Sequence, residues 1–199
     1  MFDSPDPKWP SPDDELFKED EDWWNTAIVG QSGGVSLIAD GFLQAGDLLV
    51  EHVASTQMDQ DSLVYPIMFS YRHYLELTLK TVIVDARSLL GYCGTYPTGH
   101  SLWKLWRECR AMLDEIFPES NEPHDVVEAN IREFMKVDPA STAYRYDVDR
   151  DGKPIETQKD RVPLANVAHV MEGLANLFSG TIDAIDAYRD AQPSMNDYV

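Results

Sequence analysis

The chain has 199 residues, 43% of them hydrophobic, and is therefore long enough for one domain with a buried core. Its 35 acidic and 16 basic residues give a net charge of −19, which argues against a broad surface that follows nucleic-acid phosphates. Two cysteines exclude a disulfide framework, no apolar run approaches the roughly 20 residues of a membrane span, and the N-terminus lacks the basic and apolar regions of a signal peptide. These features predict a reduced, cytoplasmic protein without membrane contact.

Residues 1–34 are predicted to form an acidic and largely irregular N-terminal arm. Residues 1–22 hold nine Asp or Glu, two lysines and four prolines, whereas the rest of the chain has a net charge of −12. Aromatic residues in such an arm usually dock on another surface, so the pattern leaves open whether the arm docks or is disordered. The arm contains three tryptophans: Trp9, Trp23 and Trp24.

Residues 35–190 are predicted to form a helical domain, followed by a flexible tail at 191–199. Apolar residues recur at steps of three and four, which indicates amphipathic helices. The second of these helices has Pro66 in its first turn and is apolar around much of its circumference, as in a central helix or one that keeps a face for a partner. The last carries a heptad-like apolar seam. The predicted helices cover about 35–55, 63–90, 101–117, 124–137 and 163–190.

A small β-hairpin is predicted between the fourth and last helices. Tyr144, Tyr146 and Val148 alternate with polar residues, and Asp151-Gly152 is a common turn sequence. The whole pattern predicts an all-α fold, an up-and-down bundle of about five helices with this hairpin as an insertion.

The densest polar cluster in an apolar region lies on the long second helix. Arg72, Glu76 and Lys80 follow one another on one face, since residues four apart are neighbours on a helix. Burying such charges costs free energy unless they pair or bind a ligand. Two interpretations stay open: an ion pair between Arg72 and Glu76 that fixes packing, or a polar pocket between helices.

His100 stands next to Ser101, the predicted N-cap of the third helix. The positive end of the helix dipole disfavours a protonated imidazole, so His100 could act as a neutral acceptor or base. The alternative is a capping histidine that bonds the loop backbone. Arg145 in the predicted hairpin and Arg161 before the last helix are further cationic candidates for a ligand-binding site.

Three segments together resemble the HEPN superfamily of helical bundles: PIMFSYRHYLELTLK, GHSLWKLW and DPASTAYRYDVDRDGKP. The resemblance covers about residues 35–190. It implies a helical bundle that forms a homodimer. Many members of the superfamily are metal-independent ribonucleases of toxin–antitoxin or antiviral systems, and others are non-catalytic nucleotide-binding or scaffolding modules.

The chain departs from the ribonuclease signature of that superfamily, which is an Arg followed after four to six residues by a His on one helix. The nearest pair, Arg161 and His169, has seven residues between its members. Catalysis would therefore need a rearranged set of Arg72, His73 and His100. In such a set an arginine would stabilise developing phosphorane charge while a histidine moves the proton.

Two functions remain open at this point. One is a HEPN-like protein of a toxin–antitoxin or antiviral system that acts on, or binds, RNA or a nucleotide as a dimer. The other is a non-catalytic acidic regulatory or scaffold protein that binds a basic protein partner. No phosphate-binding loop and no convincing spacing of metal ligands is found, so we expect neither a cofactor nor a metal ion. RNA would need a local basic cleft, for which the candidates are Arg72, Lys80, Lys104, Arg107 and Arg110.

Overall fold

The computed structural model of the chain describes residues 8–18, 21–30, 34–119, 121–139, 141–148, 151–155 and 160–192. The chain divides into two units, residues 1–32 and residues 33–199. The predicted tail lies outside the described residues, apart from Ala191 and Gln192.

The first unit contains one short element of regular structure among its described residues, the 3-10 helix Trp23–Asn25. An exposed turn precedes it, in which the Asp14 carboxylate accepts hydrogen bonds from the Ser11 backbone N–H at 3.0 Å and from Lys8 at 3.1 Å. These two hydrogen bonds lower the pKa of Asp14. Such local bonds organise a turn without a hydrophobic core.

The second unit is an all-α bundle, as the sequence predicts. Among the described residues, none of its helices is long and apolar enough to cross a membrane. The helices are α1 (Gly34–Thr56), α2 (Gln60–Leu90), α3 (Leu102–Ile116), α4 (Asn121–Val137) and α5 (Leu164–Asp190).

The helix ends follow local chemistry. Ser101 caps α3 as predicted, because its hydroxyl accepts a hydrogen bond from the Lys104 N–H at 3.4 Å. Gly91 ends α2 at a φ of 69°, a left-handed conformation that glycine adopts without steric cost. The start of α2 is earlier than predicted, so Pro66 lies in the second turn and removes the N–H that would bond the Ser62 carbonyl.

The central element is α2, which packs against α1, α3 and α5, while α4 packs on α3. These three neighbours explain why α2 is apolar around much of its circumference. Of the two interpretations given for this helix, that of a central helix agrees with the structure. Tyr71, Leu75 and Leu79 on α2 are fully buried, as are Trp106 on α3 and Met171 on α5. The polar face of α2 is buried by the same packing.

The predicted hairpin is wrong. The described residues of this segment contain no strand, only one antiparallel bridge between Val148 and Pro154 and a hydrogen bond from the Ile155 N–H to the Asp147 carbonyl at 2.8 Å. Pro154 has no N–H to extend a ladder. Upstream, Thr142 begins a turn: its N–H donates a hydrogen bond to the Asp138 side chain, and its carbonyl accepts hydrogen bonds from the N–H groups that follow. The segment with the alternating tyrosines therefore does not form a strand.

Candidate functional site

Three charged side chains on α2 lie in the interior of the bundle. The side chains of Arg72, Glu76 and Lys80 are only 2%, 3% and 7% exposed. Their spacing of four places them one above the other on the same face of the helix. The loop before α3 and the segment after α4 provide their remaining partners.

Glu76 is the centre of this cluster. Its Oε1 accepts a hydrogen bond from Lys80 Nζ at 2.9 Å and lies 2.8 Å from His100 Nδ1, and its Oε2 lies 3.5 Å from Arg72 Nη1. Burial raises the pKa of the carboxyl, but the hydrogen bonds from Lys80 and His100 outweigh it, so the pKa of Glu76 lies below its ordinary value. Glu76 is therefore an ionised carboxylate inside the bundle.

Arg72 joins α2 to both neighbouring loops. Its Nη2 donates a hydrogen bond to the His100 carbonyl at 3.0 Å, and its Nε lies 3.4 Å from Asp138 Oδ2. That second contact is an ion pair without hydrogen-bond geometry, since Nε is the one buried side-chain nitrogen or oxygen of the described residues without a hydrogen bond. Burial lowers the pKa of Arg72, while Asp138 and Glu76 oppose the shift.

The cluster is electrically balanced. Arg72 and Lys80 contribute two positive charges, and Glu76 and Asp138 contribute two negative ones. The ion pair predicted between Arg72 and Glu76 is thus part of a larger buried network. Five pockets among the described residues are lined by other side chains, so none of these five lies at the cluster.

His100 is the one exposed member of the cluster. Its side chain is 74% exposed, although Nδ1 contacts the buried Glu76 carboxylate. A carboxylate at Nδ1 holds the imidazole in one orientation and, of the two neutral tautomers, selects the one that carries its proton at Nδ1. Nε2 is then the atom available to accept a proton.

His73 lies in a different environment from Arg72 and His100. Its ring packs edge-on against Phe42 with 4.4 Å between ring centroids, and it stacks on Phe69 at 5.7 Å. Burial lowers the pKa of His73, which keeps the ring neutral. The structure therefore brings Arg72 to the backbone of His100 but places His73 in an aromatic cluster.

The two other cationic candidates lie outside the cluster. Arg145 is exposed, donates hydrogen bonds to the Ser141 carbonyl and lies over the Phe69 ring at 5.4 Å from its centroid. Arg161 is exposed and lines a pocket with Tyr65 and other residues near the start of α2. The charge of Arg145 nevertheless acts on the buried network, where it adds to the effect of burial in lowering the pKa of Arg72.

Asp138 is a member of the network that the sequence analysis did not identify. Its Oδ1 accepts hydrogen bonds from the backbone N–H groups of Thr142 at 2.7 Å and Ala143 at 3.0 Å, while Oδ2 faces Arg72. An Asp followed by a proline and a Ser-Thr pair is a common turn sequence, so the sequence carried a signal for the turn. It carried none for the contact with Arg72.

A second charged network engages another of the basic candidates. Arg110 on α3 pairs with Asp125 at 2.7 Å, with Glu128 at 3.0 Å and with Asp114 at 3.4 Å. Arg72, Lys80 and Arg110 are thus all paired with carboxylates. Of the five basic residues considered for an RNA cleft, Lys104 and Arg107 remain exposed on α3.

Comparisons of the chain with known protein families, with curated proteins and with solved structures give no match. Within the described residues, no group of three or more His, Cys, Asp or Glu side chains is placed to hold a metal ion.

Proposed function

We propose that the chain is a cytoplasmic, HEPN-like helical bundle of a prokaryotic toxin–antitoxin or antiviral system, and that it acts by binding a basic protein partner rather than by catalysis. The observation that supports this proposal most is that the buried positive and negative charges around Glu76 balance one another. Arg72 and Lys80 are buried and held by carboxylates. A catalytic arginine has to reach the reacting phosphate, and these contacts turn Arg72 away from solvent.

The charge of the chain supports a partner of opposite sign. The net charge is −19, and three of the five basic residues that could form a cleft for RNA are paired with carboxylates. An acidic surface accelerates association with a basic protein and repels a polynucleotide. Both effects favour a protein partner over RNA.

A second candidate function is metal-independent RNA cleavage with His100 as the general base. The contact between Glu76 and His100 favours it, because a buried carboxylate that orients an exposed imidazole is an arrangement found in general-base catalysis. The resemblance to HEPN proteins also implies a homodimer and, for some members, a bound RNA or nucleotide. These stay predictions.

RNA cleavage without added metal distinguishes the two functions. Wild type, His100→Ala and the control His169→Ala are compared on single-stranded RNA, since both histidines are exposed and both variants should fold. We expect no cleavage by any of the three proteins. Cleavage by wild type and by His169→Ala that is lost in His100→Ala would establish the ribonuclease instead.

A further inference from the structure

The helices α4 and α5 lie beside each other but barely touch. α4 packs on α3, whereas α5 packs on α2 and α1. Two pockets occupy the space between α4 and α5, and both are lined by Asn130 of α4 and Val170 of α5. The shared residues place the two pockets next to each other along these helices, and we call them together the α4–α5 groove.

The α4–α5 groove is largely apolar. One half is lined by Phe134 and Met171, and the other half by Val126, Leu174 and Leu177. Val126 is 55% exposed and Leu177 is half-buried, whereas Phe134, Met171 and Leu174 are buried and form the floor of the groove. Exposed apolar surface that is contiguous in a concave site marks a place of interaction.

The charged side chains of the groove are acidic. Glu133 and Glu172 line it together with His169, and no lysine or arginine is among the described residues that line either pocket. The neighbouring Arg132 is directed to α3 instead, where it lies over the Trp103 ring at 4.1 Å from its centroid. An apolar floor with acidic edges is complementary to an amphipathic segment with basic edges.

The length of the groove suits a helix. Between Val126 and Val137, α4 advances about 16 Å at about 1.5 Å per residue. A helix bound in a groove uses anchors at positions i, i+3 or i+4, and i+7, which span about 10 Å. Three anchors therefore fit along the groove.

We propose that the α4–α5 groove binds a basic amphipathic helix of another protein, an inference that rests on the proposed function and locates its binding site. The charge argues against occupants from this chain. Residues 1–22 have a net charge of −7, and the rest of the chain has one of −12. The arm or a second copy would thus bring further negative charge to Glu133 and Glu172.

The test titrates the full-length protein with a synthetic amphipathic helix of Leu and Lys, about 18 residues long, and with the same helix carrying Glu instead of Lys. The groove variant Val126→Asp has a matched control in Leu48→Asp, because the two side chains are 55% and 57% exposed and Leu48 lies on α1. Glu172→Lys has its control in Glu51→Lys, which is also exposed and on α1. Sedimentation of each protein gives its oligomeric state.

We expect the Leu/Lys helix to bind wild type at least about tenfold more tightly than the Leu/Glu helix. Val126→Asp should weaken binding of the Leu/Lys helix at least about tenfold and Glu172→Lys about threefold, while the two controls change it less than about twofold. Circular dichroism establishes that the variants are folded.

Two results would overturn the inference. If the Leu/Lys helix binds wild type and both groove variants equally, the groove is not the site, although the acidic surface still binds a basic partner as the proposed function requires. If wild type is a dimer that Val126→Asp dissociates and Leu48→Asp leaves intact, a second copy occupies the groove. Failure of every basic probe to bind would instead contradict the proposed function itself.

Discussion

Arg72 connects three separate parts of the chain through one side chain. It contacts Glu76 on its own helix, the His100 carbonyl before α3 and Asp138 after α4. Taking a guanidinium out of water is costly, and these contacts offset the cost only as long as every partner is present. The loss of one member therefore leaves charge buried and uncompensated.

Replacing Arg72 tests this dependence. Arg72→Met should lower the free energy of unfolding by about 3–5 kcal/mol, because it leaves the Glu76 and Asp138 carboxylates in the interior without their shared cation. Arg72→Lys should lower the free energy of unfolding less, since lysine keeps the positive charge although it lacks the planar guanidinium with its several N–H donors. Urea unfolding measures both, with exposed Arg107→Met as a control expected to stay within about 0.5 kcal/mol of wild type. If Arg72→Met unfolds at the same urea midpoint as wild type, Arg72 does not have this structural role.

Glu76 should make stability depend on pH. Because its pKa in the folded protein is lowered, the unfolded chain binds the proton more tightly, so the contribution of Glu76 is present above the ordinary carboxyl pKa of about 4.3 and is lost as the pH falls through the folded value. The gap in unfolding free energy between wild type and Glu76→Gln should therefore be widest near neutral pH and narrow below about pH 4. Urea unfolding over a pH series measures it. A gap that stays constant over that series would disprove an ionised Glu76. The control Glu51→Gln, at an exposed position, should have the same unfolding free energy as wild type.

At the scale of the helices, α1 and α2 approach closely at one glycine. A Cβ at Gly46 would lie 2.6 Å from Cε1 of Tyr71, a separation that real Cβ atoms essentially never show. Tyr71 is fully buried and its hydroxyl donates a hydrogen bond to Asp47 at 2.7 Å. The ring therefore cannot move away without breaking that bond or disturbing the core.

Two alanine substitutions in α1 should have opposite effects. Gly46→Ala should destabilise the protein by about 1–3 kcal/mol, because overpacking outweighs the gain in helix propensity. Gly41→Ala in the same helix meets no atom within 4 Å and should stabilise by up to about 1 kcal/mol. Thermal melts compare them. Equal melting temperatures for the two variants would contradict the close packing.

The helices could be predicted from the sequence because their apolar spacing is a local property. The predicted start of α2 at 63 and that of α4 at 124 each lie three residues after the observed start. The hairpin prediction failed because two local signals compete in this segment: Tyr144 alternates with its neighbours as in a strand, but the Asp138 side chain accepts hydrogen bonds from the Thr142 and Ala143 N–H groups and forms a turn.

The candidate site was predictable only where it is local. A spacing of four residues indicates the contacts of Glu76 with Arg72 and Lys80. The partners contributed by His100 and Asp138 are 28 and 66 residues away from Arg72 along the chain. Only the packing of α3 and α4 onto the bundle brings these residues together, and no pattern in the sequence indicates such long-range contacts.

At the scale of the whole molecule, charge is divided between a balanced interior and an acidic exterior. The buried charged side chains on and around α2 are two cations and two anions. The net charge of −19 therefore belongs to the remaining groups, and most of those that the structure describes are in contact with water. Such a surface is suited to electrostatic attraction of a basic partner, and salt should weaken that attraction.

The measurement that tests this account most directly compares two ligands of opposite charge. The full-length protein is titrated with a Lys-rich peptide and with single-stranded RNA, each at about 0.05 M and 0.15 M salt. We predict that the peptide binds, that its affinity falls as salt rises, and that RNA does not bind at either salt concentration. Tighter binding of RNA than of the peptide would contradict the account and return the exposed His100 to the centre of an RNA site.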